Sequence, residues 1–192
     1  MRSAPAASTA PASHTPAQAR VIEAALSSFA DHGIAGTSLQ RIADAIGVTK
    51  AAVYHQYNTK DEIVLAVAEV VLTGLEAAVT AAESERSRLR ARAVLVDGMI
   101  DLAVEQRHMA GVLQRDPVML RFLQEHAPFR RVMERVNRVL MGGVSDLAAR
   151  VLAATLAAAI AGAVVHPLAL GLEDGPLRAQ LRRRLRKLLP SR

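Results

Sequence analysis

Both tyrosines of the 192-residue chain, Tyr54 and Tyr57, fall within residues 49–60, TKAAVYHQYNTK, with two of its three lysines, Lys50 and Lys60. Ammonium groups neutralise phosphates or donate to guanine. Phenol and imidazole groups, here Tyr54 and His55, donate to phosphate or read a base edge, and a small side chain such as Ala51 lets a backbone approach a groove and touch a thymine methyl. This set suits gripping a polyanion, not breaking a bond. There is no Ser/His/Asp set in a nucleophile motif, no GxxxxGK[ST] phosphate loop and no recognisable carboxylate pair, so the chain does not read as an enzyme. With no cysteine, and with His108, His126 and His166 scattered, no metal or other cofactor is implied.

Such residues act only if a rigid element presents them together. The chain is 51% hydrophobic but only 3% aromatic, so its apolar content is mostly Ala, Leu and Val, which favours helices over strands. No run of alternating polarity bounded by turn residues reads as a strand, and the fold class is all-α. Three Thr-x-x-Gln/Glu capping boxes open helices at Thr15–Gln18, Thr37–Gln40 and Thr59–Glu62. Pro16 fits the first helical position of helix 1, which runs to about Asp31 with Ile22, Ala25, Leu26 and Phe29 on one face. Helix 2, SLQRIADAIG, turns Leu39, Ile42, Ala43 and Ile46 inward and stops at Gly47. Thr49 caps helix 3, Lys50 to about Tyr57, and two short helices joined by a glycine turn make a helix-turn-helix. Four-residue spacing sends Val53 and Tyr57 inward and leaves Thr49, Lys50, Ala51, Tyr54 and His55 on the opposite surface, N-terminal residues leading. A recognition helix meets the major groove in that way.

The stretch TSLQRIADAIGVTKAAVYHQYNTKDEIVLAV resembles the DNA-binding signature of the TetR family of bacterial transcriptional regulators. The resemblance rests on Ile42-Ala43, Gly47-Val48-Thr49, Tyr54-His55-Gln56-Tyr57 and Lys60, in register over roughly residues 16–66. Ala52 stands where the family often has Gly, and Val53 where it often has Leu. The resemblance implies that Thr37 or Ser38, Thr49, Lys50, Tyr54, His55 and Lys60 carry contacts to a double-stranded DNA operator. It also implies a helix-turn-helix domain over 15–60 and a larger helical ligand-binding and dimerisation domain over 61–192. Residues 1–14, with one charge, mostly small residue types and no continuous apolar run, read as a disordered arm, either an unstructured leader or a segment whose Arg2 could reach a minor groove.

Helices are expected from Lys60 to about Ala82, from about Leu89 to Glu105, over 108–114, and from Asp116-Pro117 onward with a break near Ala127 ahead of Pro128. Phe122, His126, Phe129 and Met133 share a face of that last segment. With Met99, Leu102, Met119 and His166 they form a candidate pocket for an apolar effector, ordinary core packing being the competing reading. Residues 151–172 carry no Lys, Arg, Asp or Glu and are long enough for a bilayer. They are largely alanine and interrupted by His166-Pro167, however, and Ala154, Ala158 and Gly162 form a ridge suited to close helix packing. The last helix repeats Leu177, Leu181, Leu185 and Leu188 or Leu189 amid arginines read as solvated. Together the two helices, about 145–189, are expected to form a homodimer as a four-helix bundle, with no membrane partner. The expected protein is a cytoplasmic homodimeric repressor released from a palindromic operator by a small apolar ligand, the rival being a ligand-independent architectural DNA-binding protein. Net charge of +6 permits nucleic acid or an anionic membrane as a partner but does not localise the contact, because the excess is spread along the chain.

Overall fold

The computed structural model describes residues 14–142 and 147–189, with backbone alone at 113 and 114. Residues 1–13, including Arg2 and nearly all of the expected arm, lie outside that description. Ten α-helices run through the described residues without a strand: α1 Pro16–Gly36, α2 Leu39–Ala45, α3 Lys50–Gln56, α4 Lys60–Glu83, α5 Arg88–Glu105, α6 Arg107–Arg115, α7 Pro117–Glu125, α8 Ala127–Met141, α9 Leu147–Val165 and α10 Asp174–Leu185. Short 3-10 turns, Pro167–Ala169 and Arg186–Leu188, follow α9 and α10. The all-α reading holds, with an N-terminal helix-turn-helix followed by the larger helical part.

Local signals account for most boundaries. The Thr15–Gln18 box closes in both directions, Thr15 Oγ1 accepting from Gln18 N and Gln18 Oε1 accepting from Thr15 N. At Thr59 the hydroxyl accepts from Glu62 N, but the Glu62 carboxylate turns to the N–H of Asn58 instead of that of Thr59. The expected box at Thr37–Gln40 does not form. Ser38 caps α2, its hydroxyl accepting from Arg41 N. Thr37 is buried beneath α1, where its hydroxyl donates to the carbonyls of Ser28 and Gly33, a better-satisfied position than a cap beside water. Helix α1 also runs past Asp31 to Gly36, kinked at Gly33, whose φ of 72° is left-handed.

The head packs α1, α2 and α3 around Val21, Ile22, Ala25, Phe29, Ile42, Ala43 and Val53. Helix α4 leaves it and crosses α5 closely. A Cβ built on Gly98 would stand 2.8 Å from that of Ala78, and one on Gly74 would overlap Leu102. The buried stripe of α5 is Arg92, Leu95, Val96, Ile100 and Val104, while Leu89, in its first turn, is 49% exposed. The arginines expected to be solvated on α10 are a departure. Arg182 pairs with Asp101 at 2.5 Å, Arg186 with Asp97, and Arg178 with Asp101 and Glu105, so α10 and the 3-10 turn that follows it are both tied to α5. Arg183, Arg184 and Lys187 remain exposed.

Candidate nucleic-acid interface

A tight turn sets the angle between α2 and α3. Ile46 N and Val48 N both donate to Ala43 O, and Gly47 N donates to Asp44 O. Gly47 has φ 69° with open space where a Cβ would stand, so its role is conformational, not steric. Ala43, fully buried, leaves room for α3 to cross α2. Thr49 then caps α3, its Oγ1 accepting from Ala52 N at 3.2 Å. Val53 is fully buried and Tyr57 7% exposed, which pins α3 against α1 and α2. The opposite surface, Thr49, Lys50, Ala51, Ala52, Tyr54 and His55, is exposed. Lys50 Nζ lies 5.4 Å from the centroid of the Tyr54 ring, a cation–π contact that stiffens two long side chains on the open face.

Of the eight residues expected at this surface, Thr49, Lys50, Ala51, Tyr54 and His55 share the face of α3, and Ser38 is exposed at the start of α2. Thr37 turns its side chain inward. Lys60 is half-buried, its Nζ donating to Ile34 O at 2.8 Å and Thr37 O at 3.2 Å, so its ammonium serves the end of α1. Sequence reasoning passed over Arg41. It is exposed on α2, and its Nη1 lies 2.7 Å from His32 Nε2. Its position one turn after the Ser38 cap was the signal for an exposed cation on the helix that precedes a recognition helix.

The phenol of Tyr57 is buried without a hydrogen-bond partner among the described residues. Its pKa is raised, first by that burial and then by the carboxylate of Glu69 on α4. The hydroxyl therefore stays neutral, as a wholly internal anchor requires.

The eight residues expected to line an effector pocket are spread over separate places. Met119 is fully buried core, and Leu102 fills the space that Gly74 leaves on α4. Phe122 stacks on His126, with centroids 5.5 Å apart, at the α7–α8 junction. His126 also lines an open groove of about 970 Å³ against α4, beside Glu69, Thr73, Glu76 and Arg131. Phe129 and Met133 line a different crevice of about 370 Å³ with Leu120 and Leu123. Met99 is half-buried on α5. His166 is exposed, its Nδ1 accepting from Leu168 N to start the turn after α9.

Residues 21–67 match the model of the bacterial regulatory proteins of the tetR family. The chain is 31% identical over 128 residues to the HTH-type transcriptional regulator BetI of Burkholderia mallei (strain NCTC 10229). That alignment takes in 62% of this chain and 60% of BetI, so the chain spans well under two thirds of that relative's length. The ketosteroid transcriptional regulator KstR2 of Mycobacterium tuberculosis has the same fold, with TM-score 0.75 and 16% identity across 92% of this chain and 95% of that one. A complex of SmeT with triclosan aligns with TM-score 0.63 and 25% identity, covering 88% and 90% of the two chains.

Proposed function

We propose that the chain is a TetR-family regulatory protein and acts as a cytoplasmic, homodimeric transcriptional repressor that leaves a palindromic operator when a small, largely apolar ligand binds. The observation that carries this reading is the two-faced α3. Val53 and Tyr57 anchor it, while Thr49, Lys50, Ala51, Tyr54 and His55 stand exposed from its N-terminal end. A helix so mounted can enter a major groove, with Lys50 reaching a guanine or phosphate and Ser38 and Arg41 meeting the flanking backbone. A single seven-residue helix makes few contacts, so two copies about one DNA turn apart, roughly 34–36 Å, are needed for specificity.

Helix α9 supports the two-fold assembly. Leu147 is 77% and Val151 55% exposed, and Ala154 and Ala158 continue that exposed stripe at helical spacing. By length and composition α9 and α4 each suffice to cross a membrane. The alanine ridge on α9, and α10 ion-paired to α5, suit a second copy better than lipid.

The crevice of Leu120, Leu123, Phe129 and Met133 borders α7 and α8, and the groove beside His126 lies between α4 and the start of α8. SmeT holds triclosan, and the mainly apolar walls of the crevice suit a small apolar molecule. To move operator occupancy from near-complete to near-empty, the ligand must prefer the released conformer by about 10⁴-fold.

The test begins with selection of an operator from random DNA by the wild-type chain. Lys50→Ala combined with Tyr54→Ala is expected to weaken binding to it by about 100-fold or more, from the loss of two interface side chains at roughly 1–3 kcal/mol each. Undiminished binding by the double variant sinks this surface as the interface.

A further inference from the structure

The kink of α1 is held from two sides by charged groups that belong to other elements. At Gly33 the backbone leaves helical conformation, with φ 72° and ψ 163°. The next N–H, that of Ile34, donates to Asp116 Oδ2 at 2.6 Å in a buried hydrogen bond spanning 82 positions of sequence. The carbonyl of the same residue accepts from Lys60 Nζ at 2.8 Å, and Lys60 also binds Thr37 O. Asp116 is itself only 7% exposed. Its other oxygen, Oδ1, caps α7 by accepting from Val118 N and Met119 N at 2.9 and 3.3 Å. One carboxylate thus joins the first turn of α7, in the body, to the end of α1, in the head. A Cβ at position 33 would stand 3.2 Å from Asp116 Oδ2, so the glycine also keeps the approach open.

We propose that Asp116 is the positioning residue through which the helical body sets the pose of the DNA-binding head, by gripping the Ile34 peptide that Lys60 holds from the other side. The inference rests on the reading of the head as a DNA-binding unit. Its logic is mechanical. Helix α6, which ends at Asp116, packs against both α1 and α9. A shift at the α9 face or at the walls bordering α7 therefore moves the Asp116 carboxylate relative to Ile34. The hinge that yields is Gly33, where the backbone already departs from the helix. A charge-assisted hydrogen bond of this length, shielded from water, transmits such a shift where an exposed contact would slip.

The test uses the full chain. Asp116→Ser keeps a hydroxyl able to cap α7 but is too short to reach Ile34. Asp116→Asn keeps one capping oxygen and presents an N–H group to the Ile34 N–H, and serves as the second variant if the serine protein is poorly folded. Hydrogen exchange of the Ile34 amide, followed without DNA, is expected to accelerate by roughly tenfold or more while the α4–α5 amides keep their protection. Binding is then measured on duplexes carrying the selected half-sites with the spacer altered by one or two base pairs. Wild type is expected to discriminate among spacers by roughly tenfold or more, and the Asp116 variants to lose most of that discrimination. Lys50→Ala should lower affinity at every spacer without flattening the preference. Unchanged Ile34 exchange in both variants overturns the joint. Accelerated exchange with wild-type spacer preference overturns its control of the pose. A wild-type chain that selects no operator counts against the DNA-binding reading instead, and the exchange measurement still reports on the joint.

Discussion

The Tyr57 hydroxyl is an exception among the buried polar groups of the head, since it has no partner among the described residues while Thr37 has two. The ring anchors α3, and the oxygen contributes only its desolvation. Tyr57→Phe keeps the ring and removes the unpaired group, so it is expected to leave stability unchanged or to raise it by up to about 1 kcal/mol in denaturant titration. The pH dependence has a definite sign. A phenol whose folded pKa lies above its unfolded value stabilises fully below the ordinary phenol pKa, and that stabilisation is lost as pH rises towards the folded value. From about pH 9 to about pH 11 the wild-type protein should therefore lose stability faster than Tyr57→Phe, while operator affinity near neutral pH stays the same for both. Equal alkaline slopes would mean that the phenol is not excluded from water. The inward role of Tyr57 was legible from its four-residue spacing to Val53. Thr37 was not resolved by local signals, because Thr37 and Ser38 are both competent caps and the choice depends on the pocket that α1 offers beneath Thr37.

Among the elements, α4 and α5 approach each other closely at two glycines. Gly74 admits the side chain of Leu102, whose terminal carbons can rotate aside. Gly98 faces the Cβ of Ala78, which cannot move without moving its helix. Gly98→Ala is accordingly expected to destabilise the fold by about 1–3 kcal/mol despite the gain in helix propensity, with Gly74→Ala nearer the low end, both read from denaturant midpoints at constant m-value. A stabilised Gly98→Ala protein would show that the crossing is looser than its geometry. Helix starts such as Thr15, Thr49 and Asp116-Pro117 could be read in advance, since a cap and its helix lie within four residues of each other. The ties from Arg178, Arg182 and Arg186 to the acidic edge of α5 span 73 to 89 positions, and no local pattern distinguishes a paired arginine from a solvated one. The same distance hid the bond between Asp116 and Ile34 and scattered the residues expected around one effector pocket. Five aligned on α3 were legible because one short helix sets their geometry.

For the whole molecule, the question is what covers α9. Its inner side packs through Ala153, Leu156, Ile160 and Val164, whereas Leu147, Val151, Ala154 and Ala158 face outward. Leu168, Leu170 and Leu172 on the connection to α10 are exposed by 86, 65 and 49%. Exposed apolar area of this kind suits an interface, and in the proposed two-fold dimer two copies of α9 would meet through small residues that let helices approach closely. A cation at the centre of that face has no carboxylate to meet, because 151–172 contains none. Val151→Arg and Ala158→Arg, singly and together, are therefore expected to convert the protein to a monomer by sedimentation velocity. Helical content should be retained, because both side chains point away from the core of their own chain. Operator affinity should fall by about 100-fold or more, because each monomer then offers one short recognition helix to one half-site, while binding to an isolated half-site should stay within about threefold of wild type. A variant that stays dimeric with arginine at both positions would move the interface off α9, and one that becomes monomeric yet holds the full operator undiminished would remove the two-fold requirement from the mechanism.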